Sequence, residues 1–409
     1  MGLASNYNHT IHACYVGYIS QAIVNNFVPL LFLTFQKTYK IPLSQITMLV
    51  SLNFIIQLLV DLLSVKLVDK IGYRISAVCA HLFCAVGLIG LGILPDLADT
   101  PFVGLVLAVV CYAVGGGMIE VLISPIVEAC PTEKKEAAMS LLHSFYCWGS
   151  VGVVLFSTLY FAIFGIDNWR VLSILWAVIP AVNAVAFTKV PIRALVEDGK
   201  GLVPSQLFGM KIFWIFALLM VCAGASEQAM SQWASAFAES GLKVSKTVGD
   251  LAGPCFFAAL MGTSRALYAK LSEKIDLMNF MKLSAVFCVI SYLLASFSPI
   301  PFLALLGCGL CGLSVGIMWP GTFSLAAKAC PKGGTAMFAM FALFGDLGCT
   351  LGPTLVGTIS GQMNGNLKAG LLFAIVFPLL LISGIILCKK MTKEQNETEN
   401  VKTEYTGGL

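Results

Sequence analysis

The sequence predicts an all-α membrane protein in which twelve transmembrane helices form two pseudo-symmetric halves of six. Three observations support this fold class. The 409 residues are 58% hydrophobic and only 11% charged, with a mean hydropathy of +0.88, whereas soluble domains are about 25% charged. Apolar stretches of about 20 residues, the length that crosses a bilayer, recur along the whole chain. The two halves of the sequence also share a repeat.

Six apolar spans precede the polar stretch RALVEDGKGLVPSQ and six follow it. The first is too long for the core of a cleavable signal peptide, so we interpret it as a membrane helix. The predicted spans are 11–35, 45–68, 76–95, 102–128, 137–164, 169–189, 210–238, 248–271, 280–298, 301–327, 334–360 and 368–388. We expect an N-terminal bundle over 1–190, a linker over 191–209, a C-terminal bundle over 210–388 and a disordered polar tail over 389–409.

The charge distribution predicts the orientation in the membrane. An even number of spans places both termini on one side, and most of the 25 Lys and Arg residues fall on that side. By the positive-inside rule, the termini and the linker are cytoplasmic. We expect a multi-pass protein of the cytoplasmic (inner or plasma) membrane, with the lipid bilayer as its partner. A monomer suffices for this fold, and we expect no nucleic-acid partner.

The internal repeat relates the fourth span to the tenth and the second to the eighth. A shift of about 200 residues aligns the pairs Cys111 and Cys311, Gly116 and Gly316, Ser124 and Ser324, and the two ACP triplets. A nearly equal shift aligns KLVDKI at 66–71 with KLSEKI at 270–275. Two six-helix halves joined by a cytoplasmic loop are typical of transporters, which bind substrate near the midplane between the halves.

Glu120 lies in the apolar run GGGMIEVLISPIVEAC of the fourth span, where a carboxylate costs about 2.5–3.5 kcal/mol on insertion scales. Gly116 and Ser124 share its helix face, which suits a helix that lines a cavity. His143, in the antiparallel fifth span, falls at a similar depth. We expect Glu120 and His143 to share a proton and to bind a hydroxylated ligand. The alternative is a fixed Glu–His or Glu–backbone bond that only holds helices together.

Other polar or aromatic side chains at mid-membrane depth are predicted to contact substrate, because intramembrane polar groups usually face a cavity. They are Asn25, Asn26, Gln57, Tyr146, Glu227, Gln228, Trp319 and Asp346, together with Glu120 and His143. Trp319-Pro320 predicts a kinked tenth span whose tryptophan faces the cavity or packs. Asp346 either pairs with a base or joins a proton path. Asp61, nearer the cytoplasm, is expected to be a lock between helices or halves.

The segment VKLVDKIGYR at 65–74 resembles the loop between the second and third helices of the major facilitator superfamily, although Val65 stands where that pattern begins with Gly. The matching residues are Asp69, Lys70, Gly72 and Arg74. The resemblance implies a cytoplasmic latch between the halves. We assign to this latch Asp69, Lys70, Arg74, Arg265, Glu273 and Lys274. Arg265 is expected near the cytoplasmic end of its span, where it either snorkels or bridges the halves.

The sequence further resembles the fucose–proton symporter and sugar-porter branch of that superfamily. GGGMIEVLISP is similar to its glycine-rich fourth helix, with Ser-Pro in place of Asn-Pro, and LLHSFYCWGS and GTSRALYAKLSEKI are similar to its fifth and eighth helices. The resemblance implies that Glu120 is the membrane glutamate and that Tyr146 contacts sugar. The branch also has an acid three residues after an Asn-Asn pair in its first helix. Asn25 and Asn26 match, but Pro29 holds the place of the acid, so coupling would depend on Glu120, with Glu227 or Asp346.

We therefore expect a secondary transporter that moves a small hydroxylated solute, most simply a sugar, inward with a proton. The alternatives are a proton-coupled exporter of drugs or amphiphiles, an uncoupled sugar facilitator, and a sensor or scaffold that carries no flux. We expect no enzyme, no cofactor and no metal site, because no nucleophile–base pair or metal-ligand set occurs at the midplane. Cys308 and Cys311 form a C-x-x-C that lacks a second ligand pair, so we expect both to pack.

Overall fold

The computed structural model describes residues 7–131, 135–192, 204–271, 275–330 and 334–406. Within these ranges, side chains are described except at 64–70, 125, 128, 135–141, 269–271, 327, 334–336, 338–339 and 392–406. This part of the chain is helical almost throughout and contains no strand.

The first half contains spans 1 to 6. Span 1 is Tyr7–Tyr39 and consists of Tyr7–Asn26, a 3₁₀ turn at Val28–Leu31 and Phe32–Tyr39. The break follows from Pro29, which has no main-chain N–H to continue the helix. The remaining spans are Leu43–Ile71 (span 2), Tyr73–Leu97 (span 3), Pro101–Ala129 (span 4), Lys135–Phe164 (span 5) and Trp169–Lys189 (span 6).

The second half repeats this plan with more interruptions. Span 7 begins with Lys211–Ser231 and ends in a π-helical turn at Phe237–Gly241. Span 8 consists of Lys246–Asp250, a π-helical turn at Leu251–Cys255 and Phe256–Leu271. The others are Leu277–Phe297 (span 9), Pro301–Val315 with Met318–Ala329 (span 10), Gly334–Gln362 (span 11) and Leu367–Phe373 with Val376–Thr406 (span 12). The break in span 10 confirms the kink predicted beside Trp319-Pro320.

Eleven segments of the described chain are long and apolar enough to span a membrane. The remaining predicted span, 248–271, is the one divided by the turn that contains Pro254. The helix Val376–Thr406 continues into the segment 389–409, for which the sequence predicted disorder. Lys, Glu, Gln and Met in this segment favour a helix, and no Gly or Pro interrupts it before residue 407. The predicted all-α membrane fold is confirmed.

The two halves use the same helix pairs. In the first half, span 3 packs on spans 4 and 6, span 4 on span 2, and span 1 on span 5. The corresponding pairs, six spans later, pack in the second half. Between the halves, span 2 packs on span 11 and span 5 on span 8. These two interfaces are also related by a shift of six spans, so the pseudo-symmetry of the sequence extends to the packing.

Small residues allow the helices to approach closely inside each half. A Cβ atom on Gly115 would lie 2.5 Å from the carbonyl oxygen of Ala80 in span 3, and one on Gly348 would collide with the main chain of Val221 in span 7. Apolar burial between helices gives little driving force in lipid, so close van der Waals contact carries much of the association. These glycines therefore set how closely the helices pack inside each half, and the helices in turn position their polar side chains.

Candidate functional site

The two halves are closed against each other on the side opposite the termini, which we call the closed side. The hydroxyl groups of Ser51 in span 2 and Thr354 in span 11 hydrogen-bond at 2.5 Å. The Nζ atom of Lys246 in span 8 donates to the carbonyl oxygen of Leu30 in span 1 at 2.6 Å. Both bonds join residues near the ends of their spans that lie away from the termini, so they close this end of the interface.

Polar side chains in the middle of the spans remain accessible to solvent. His143 in span 5 is exposed, and Glu120 in span 4, Tyr146 in span 5 and Arg265 in span 8 are half-buried. These residues lie towards the side that holds the termini, relative to the contacts of the closed side. The accessible polar surface between the halves is therefore a central cavity that opens towards the termini.

Glu120 is bound by span 1. The Nε2 atom of Gln21 donates to Oε2 of Glu120 at 2.6 Å. One turn away, the hydroxyl groups of Tyr18 and Ser124 hydrogen-bond at 3.0 Å, and the ring of Tyr18 lies 5.5 Å from the imidazole of His143. Among the described contacts, no hydrogen bond joins Glu120 to His143. Glu120 is bound by Gln21 instead, and His143 lies beside Tyr18.

The predicted residues Asn25, Asn26, Gln57 and Tyr146 come together beside this group. Oδ1 of Asn25 accepts from Nε2 of Gln57 at 2.9 Å, and the Tyr146 hydroxyl lies beside the side chains of Asn25 and Asn26. Nδ2 of Asn26 donates to Oγ of Ser150 at 3.0 Å. Spans 1, 2 and 5 are therefore tied together by side chains able to donate to and accept from hydroxyl groups.

Pro29 has a structural consequence in span 1. In a continuous helix, the N–H of residue 29 would donate to the carbonyl oxygen of Asn25, but proline has no N–H. Nε2 of Gln232, in the second half, donates to this oxygen at 3.1 Å instead. The residue that replaces the acid expected from the resemblance therefore leaves free a main-chain acceptor, and the opposite half binds it.

Glu227 and Gln228 lie in span 7 on the second half's side of the cavity. Gln228 donates from Nε2 to Oε1 of Glu227 at 3.3 Å and accepts through Oε1 from Ser231 at 3.2 Å and Gln232 at 3.1 Å. Glu227 is buried, and its Oε2 atom lies 3.5 Å from Nη2 of Arg265. The polar cluster predicted for span 7 is thus a connected network with one ion pair.

Arg265, which we assigned to the cytoplasmic latch, contacts residues of both halves beside the central cavity. Besides its ion pair with Glu227, its Nη1 atom donates to Sγ of Cys147 in the first half at 3.1 Å and its Nε atom to the carbonyl oxygen of Gly316 at 3.3 Å. The reason is direction. Side chains of a helix point towards its N-terminus, and the N-terminus of span 8 is on the closed side, so the guanidinium group extends towards the midplane.

Trp319 and Asp346 have neighbours that the sequence did not indicate. Trp319 is half-buried and its ring covers Gly345 of span 11, so it packs between spans 10 and 11 at the cavity wall. Asp346 is buried, and its carboxyl group hydrogen-bonds to that of Asp61 in span 2. Asp346 thus meets another acid, where the sequence predicted a base, a proton path or a substrate contact.

The latch residues Asp69, Lys70, Glu273 and Lys274 lie outside the residues whose side chains are described. Arg74 is described, and its Nη1 atom donates to the carbonyl oxygen of Phe187 in span 6 at 2.8 Å, within the first half. The role of these residues as a latch between the halves stays a prediction.

Two residues of the site were missed by sequence reasoning, namely Tyr18 and Gln21. Tyr18 and Gln21 precede Asn25 at spacings of three and four, so one face of span 1 carries all three. This spacing was a usable signal. Gln232 follows Gln228 by one turn, but only the geometry between the halves shows that it reaches Asn25. No group of His, Cys, Asp and Glu suited to a metal ion occurs among the described residues.

Two helical halves that enclose a polar cavity closed on one side define a membrane transporter that works by alternating access. The chain belongs to the Major Facilitator Superfamily, whose family pattern it matches over residues 14–353. The resemblance inferred from the loop at 65–74, the repeat and the twelve spans is thereby confirmed at the level of the superfamily. No curated protein matches the sequence.

Solved transporters have the same fold at low sequence identity. A D-xylose–proton symporter superposes with a TM-score of 0.78 at 12% identity, covering 94% of this chain and 97% of that one. The Escherichia coli fucose:proton symporter gives 0.65 at 15% identity, covering 93% and 99%. A bacterial homologue of the human lysosomal transporter Spinster, in an inward-facing and occupied conformation, gives 0.76 at 13% identity, covering 95% and 98%.

Proposed function

We propose that this protein imports a small polyhydroxylated solute, most simply a sugar, together with a proton across the cytoplasmic membrane. The observation that carries the proposal is the polar wall of the cavity. Glu120, His143 and Tyr146 of the first half and Arg265 of the second line the cavity, and buried amide and carboxyl groups contact them from behind. Together they offer the donors and acceptors that a sugar with several hydroxyl groups requires. A cavity for lipophilic drugs would be lined mainly by apolar and aromatic side chains.

Glu120 is the proposed proton site and hydroxyl acceptor. It is half-buried in the cavity wall, and its described hydrogen-bond donor is the neutral amide of Gln21. Glu227, in contrast, is held by Arg265 and so has a fixed positive partner. An intramembrane carboxyl group without a basic partner is the group that gains most from binding a proton. His143, Asn25, Asn26, Gln57, Tyr146, Glu227, Gln228 and Trp319 are proposed as substrate contacts.

The proposal includes an orientation of the protein in the membrane. Most of the basic residues lie on the side of the termini, so this side is the cytoplasmic one and the described conformation faces inward. The D-xylose and fucose symporters support the combination of sugar and proton as relatives in fold. The proton couples to import if Glu120 binds it only while the cavity can hold substrate.

The test uses purified protein in liposomes that contain a pH-sensitive dye. Single sugars are added outside, and internal acidification is recorded beside the uptake of labelled sugar. Wild type is compared with Glu120→Gln. Glu239→Gln is the matched control, because Glu239 lies on the closed side and pairs with the exposed Lys37 at 3.1 Å.

We expect sugar-driven acidification in wild type and in Glu239→Gln. Glu120→Gln should lose acidification while it still exchanges labelled sugar across the membrane. Acidification that persists in Glu120→Gln would refute the role of Glu120. Failure of every sugar tested to enter would refute the sugar proposal and favour the exporter.

One observation favours a second candidate, an uncoupled sugar facilitator. Pro29 stands where the resembling branch has an acid, and the 3₁₀ turn that contains it is buried. This turn cannot carry a proton. Sugar entry without acidification in wild type, unchanged in Glu120→Gln, is the result that identifies the facilitator.

A further inference from the structure

Spans 2 and 11 form one interface between the two halves, which runs from the closed side inward. Near the closed side, Ser51 and Thr354 hydrogen-bond at 2.5 Å. About three helical turns further along span 2, Asp61 lies opposite Asp346. The two spans run antiparallel, so these contacts are successive points along one interface.

The two aspartates hydrogen-bond to each other through their carboxyl groups. Both are buried, with exposed fractions of 8% for Asp61 and 5% for Asp346. Oδ1 of Asp61 and Oδ2 of Asp346 are buried without another hydrogen-bond partner. A hydrogen bond between two carboxyl groups requires a proton on one of them. Two ionised carboxylates in such direct contact would repel each other, because the protein interior solvates neither of them.

Among the side chains that the structure describes, none supplies a compensating cation to the pair. Two titratable groups interact electrostatically with the pair, namely Glu120 of span 4 and Cys349 of span 11. Span 7 contributes Glu227, whose charge is matched by Arg265. Among the described contacts, no Lys, Arg or His side chain reaches either aspartate. The groups nearest the pair are therefore acidic or neutral, and a proton is the species that allows the two acids to meet.

We propose that Asp61 and Asp346 share a proton across the two halves, and that this proton holds spans 2 and 11 together in the conformation closed opposite the termini. When the proton leaves to water in the cavity, two carboxylates face each other and the halves separate along this interface. The role of this step in transport rests on the proposed proton coupling and adds a second protonation site to it. Glu120 would sense substrate, and the pair would link protonation to closure.

The test measures conformation without substrate, so its outcome does not depend on whether the protein carries sugar. Spin labels are placed at Thr38→Cys and Thr247→Cys, which are exposed at the closed-side ends of spans 1 and 8. Cys79 and Cys111, the two cysteines that are not buried, are replaced by alanine. Distances between the labels are measured by double electron–electron resonance in sodium-free nanodiscs from about pH 6 to about pH 9, a range in which deeply buried carboxyl groups titrate.

We expect a short distance at low pH and a growing population with a long distance as the pH rises. The double variant Asp61→Asn with Asp346→Asn should stay short at both ends of the range, because two amides hydrogen-bond without a titratable proton. Asp99→Asn, an exposed loop aspartate, is the matched control and should behave as wild type. A wild-type distance that is independent of pH, or a pH response that persists in the double variant, would overturn the proposal.

Two further measurements cover misfolding and a rival ion. Infrared difference spectra of the wild type alone, recorded across the same pH range, should show the band of a protonated carboxyl group at low pH and its loss at high pH. Absence of that band would overturn the proposal even if the variants fail to fold. If the distance in sodium-free nanodiscs is long at every pH, and sodium chloride but not choline chloride makes it short, the pair holds a sodium ion and the proton proposal is refuted.

Discussion

The ion pair between Arg265 and Glu227 should contribute strongly to stability, and a double-mutant cycle can measure its contribution. The Nη2 and Oε2 atoms lie 3.5 Å apart, and the side chains are only 19% and 10% exposed. At an effective dielectric constant of about 20, this separation corresponds to an attraction of about 5 kcal/mol before desolvation. Removing one member leaves the other charge buried, which typically costs about 3–5 kcal/mol.

We therefore expect Arg265→Met and Glu227→Gln each to lower the free energy of unfolding by about 3 kcal/mol. The double variant should lose less than the sum of the two, by about 2–3 kcal/mol, because it leaves no unpaired charge. The assay is reversible unfolding of the purified protein in mixed micelles. Lys37 and Glu239 provide the control cycle. Their atoms are closer, at 3.1 Å, but Lys37 is 75% exposed, so their coupling should stay below about 1 kcal/mol. A coupling energy for Arg265 and Glu227 no larger than that of this control would refute the reasoning.

Three further predictions concern the donor to the proton site, the closed side and helix packing. Gln21→Leu removes the described donor to Glu120, and the loss of this hydrogen bond costs about 1–2 kcal/mol. The KM for sugar in uptake assays should therefore rise about tenfold, and an unchanged KM would contradict this prediction. Ser51→Ala removes a bond across the halves worth about 1 kcal/mol. The ratio of the closed to the open population on this side should therefore fall about fivefold in label-distance measurements, and an unaltered distribution would count against it. Gly115→Val forces a side chain to within 2.5 Å of a main-chain carbonyl and should destabilise by more than about 2 kcal/mol. Gly152→Val, which meets nothing within 4 Å, should change unfolding by less than about 0.5 kcal/mol; equal effects would show that the close approach is not limiting.

The positions of the spans could be predicted because the bilayer imposes both length and apolarity. Span 2 was predicted at 45–68 and is Leu43–Ile71. The turn at Leu251–Cys255 in span 8 could not be predicted in the same way, because hydropathy does not report which main-chain bonds a proline removes. The last helix also ran past its predicted end, because hydropathy marks where apolar character stops and not where helix formation stops.

For the site, the sequence predicted the depth of each residue in the membrane but not the direction in which its side chain points. Counting residues from the span ends placed Glu120 and His143 at the same depth in the membrane. This count is reliable because neighbouring spans of this fold cross the same bilayer in opposite directions. Whether the two side chains meet depends on how span 1 is rotated, because Tyr18 of span 1 lies beside His143. That rotation is set by helix packing, which cannot be read from a single sequence. Arg265 shows the same limit, because its position along span 8 was read correctly, whereas the direction of its side chain was not.

The pairing of Asp61 with Asp346 lay further beyond sequence reasoning. Each acid could be recognised as an intramembrane carboxyl group, and Asp61 was expected to act as a lock. That both lie on one interface follows only from the antiparallel packing of spans 2 and 11. Two acids in contact are also the arrangement that charge complementarity argues against, so a search for basic partners could not have found it.

Pro29 limits how this chain can diverge. A single substitution to aspartate would restore the acid of the resembling branch, but it would also restore an N–H that competes with Gln232 for the carbonyl oxygen of Asn25. The effect of residue 29 therefore depends on residue 232 of the other half, and the two positions are epistatic. An evolutionary path to a charged first helix would pass through an intermediate that closes less firmly, unless residue 232 changed first.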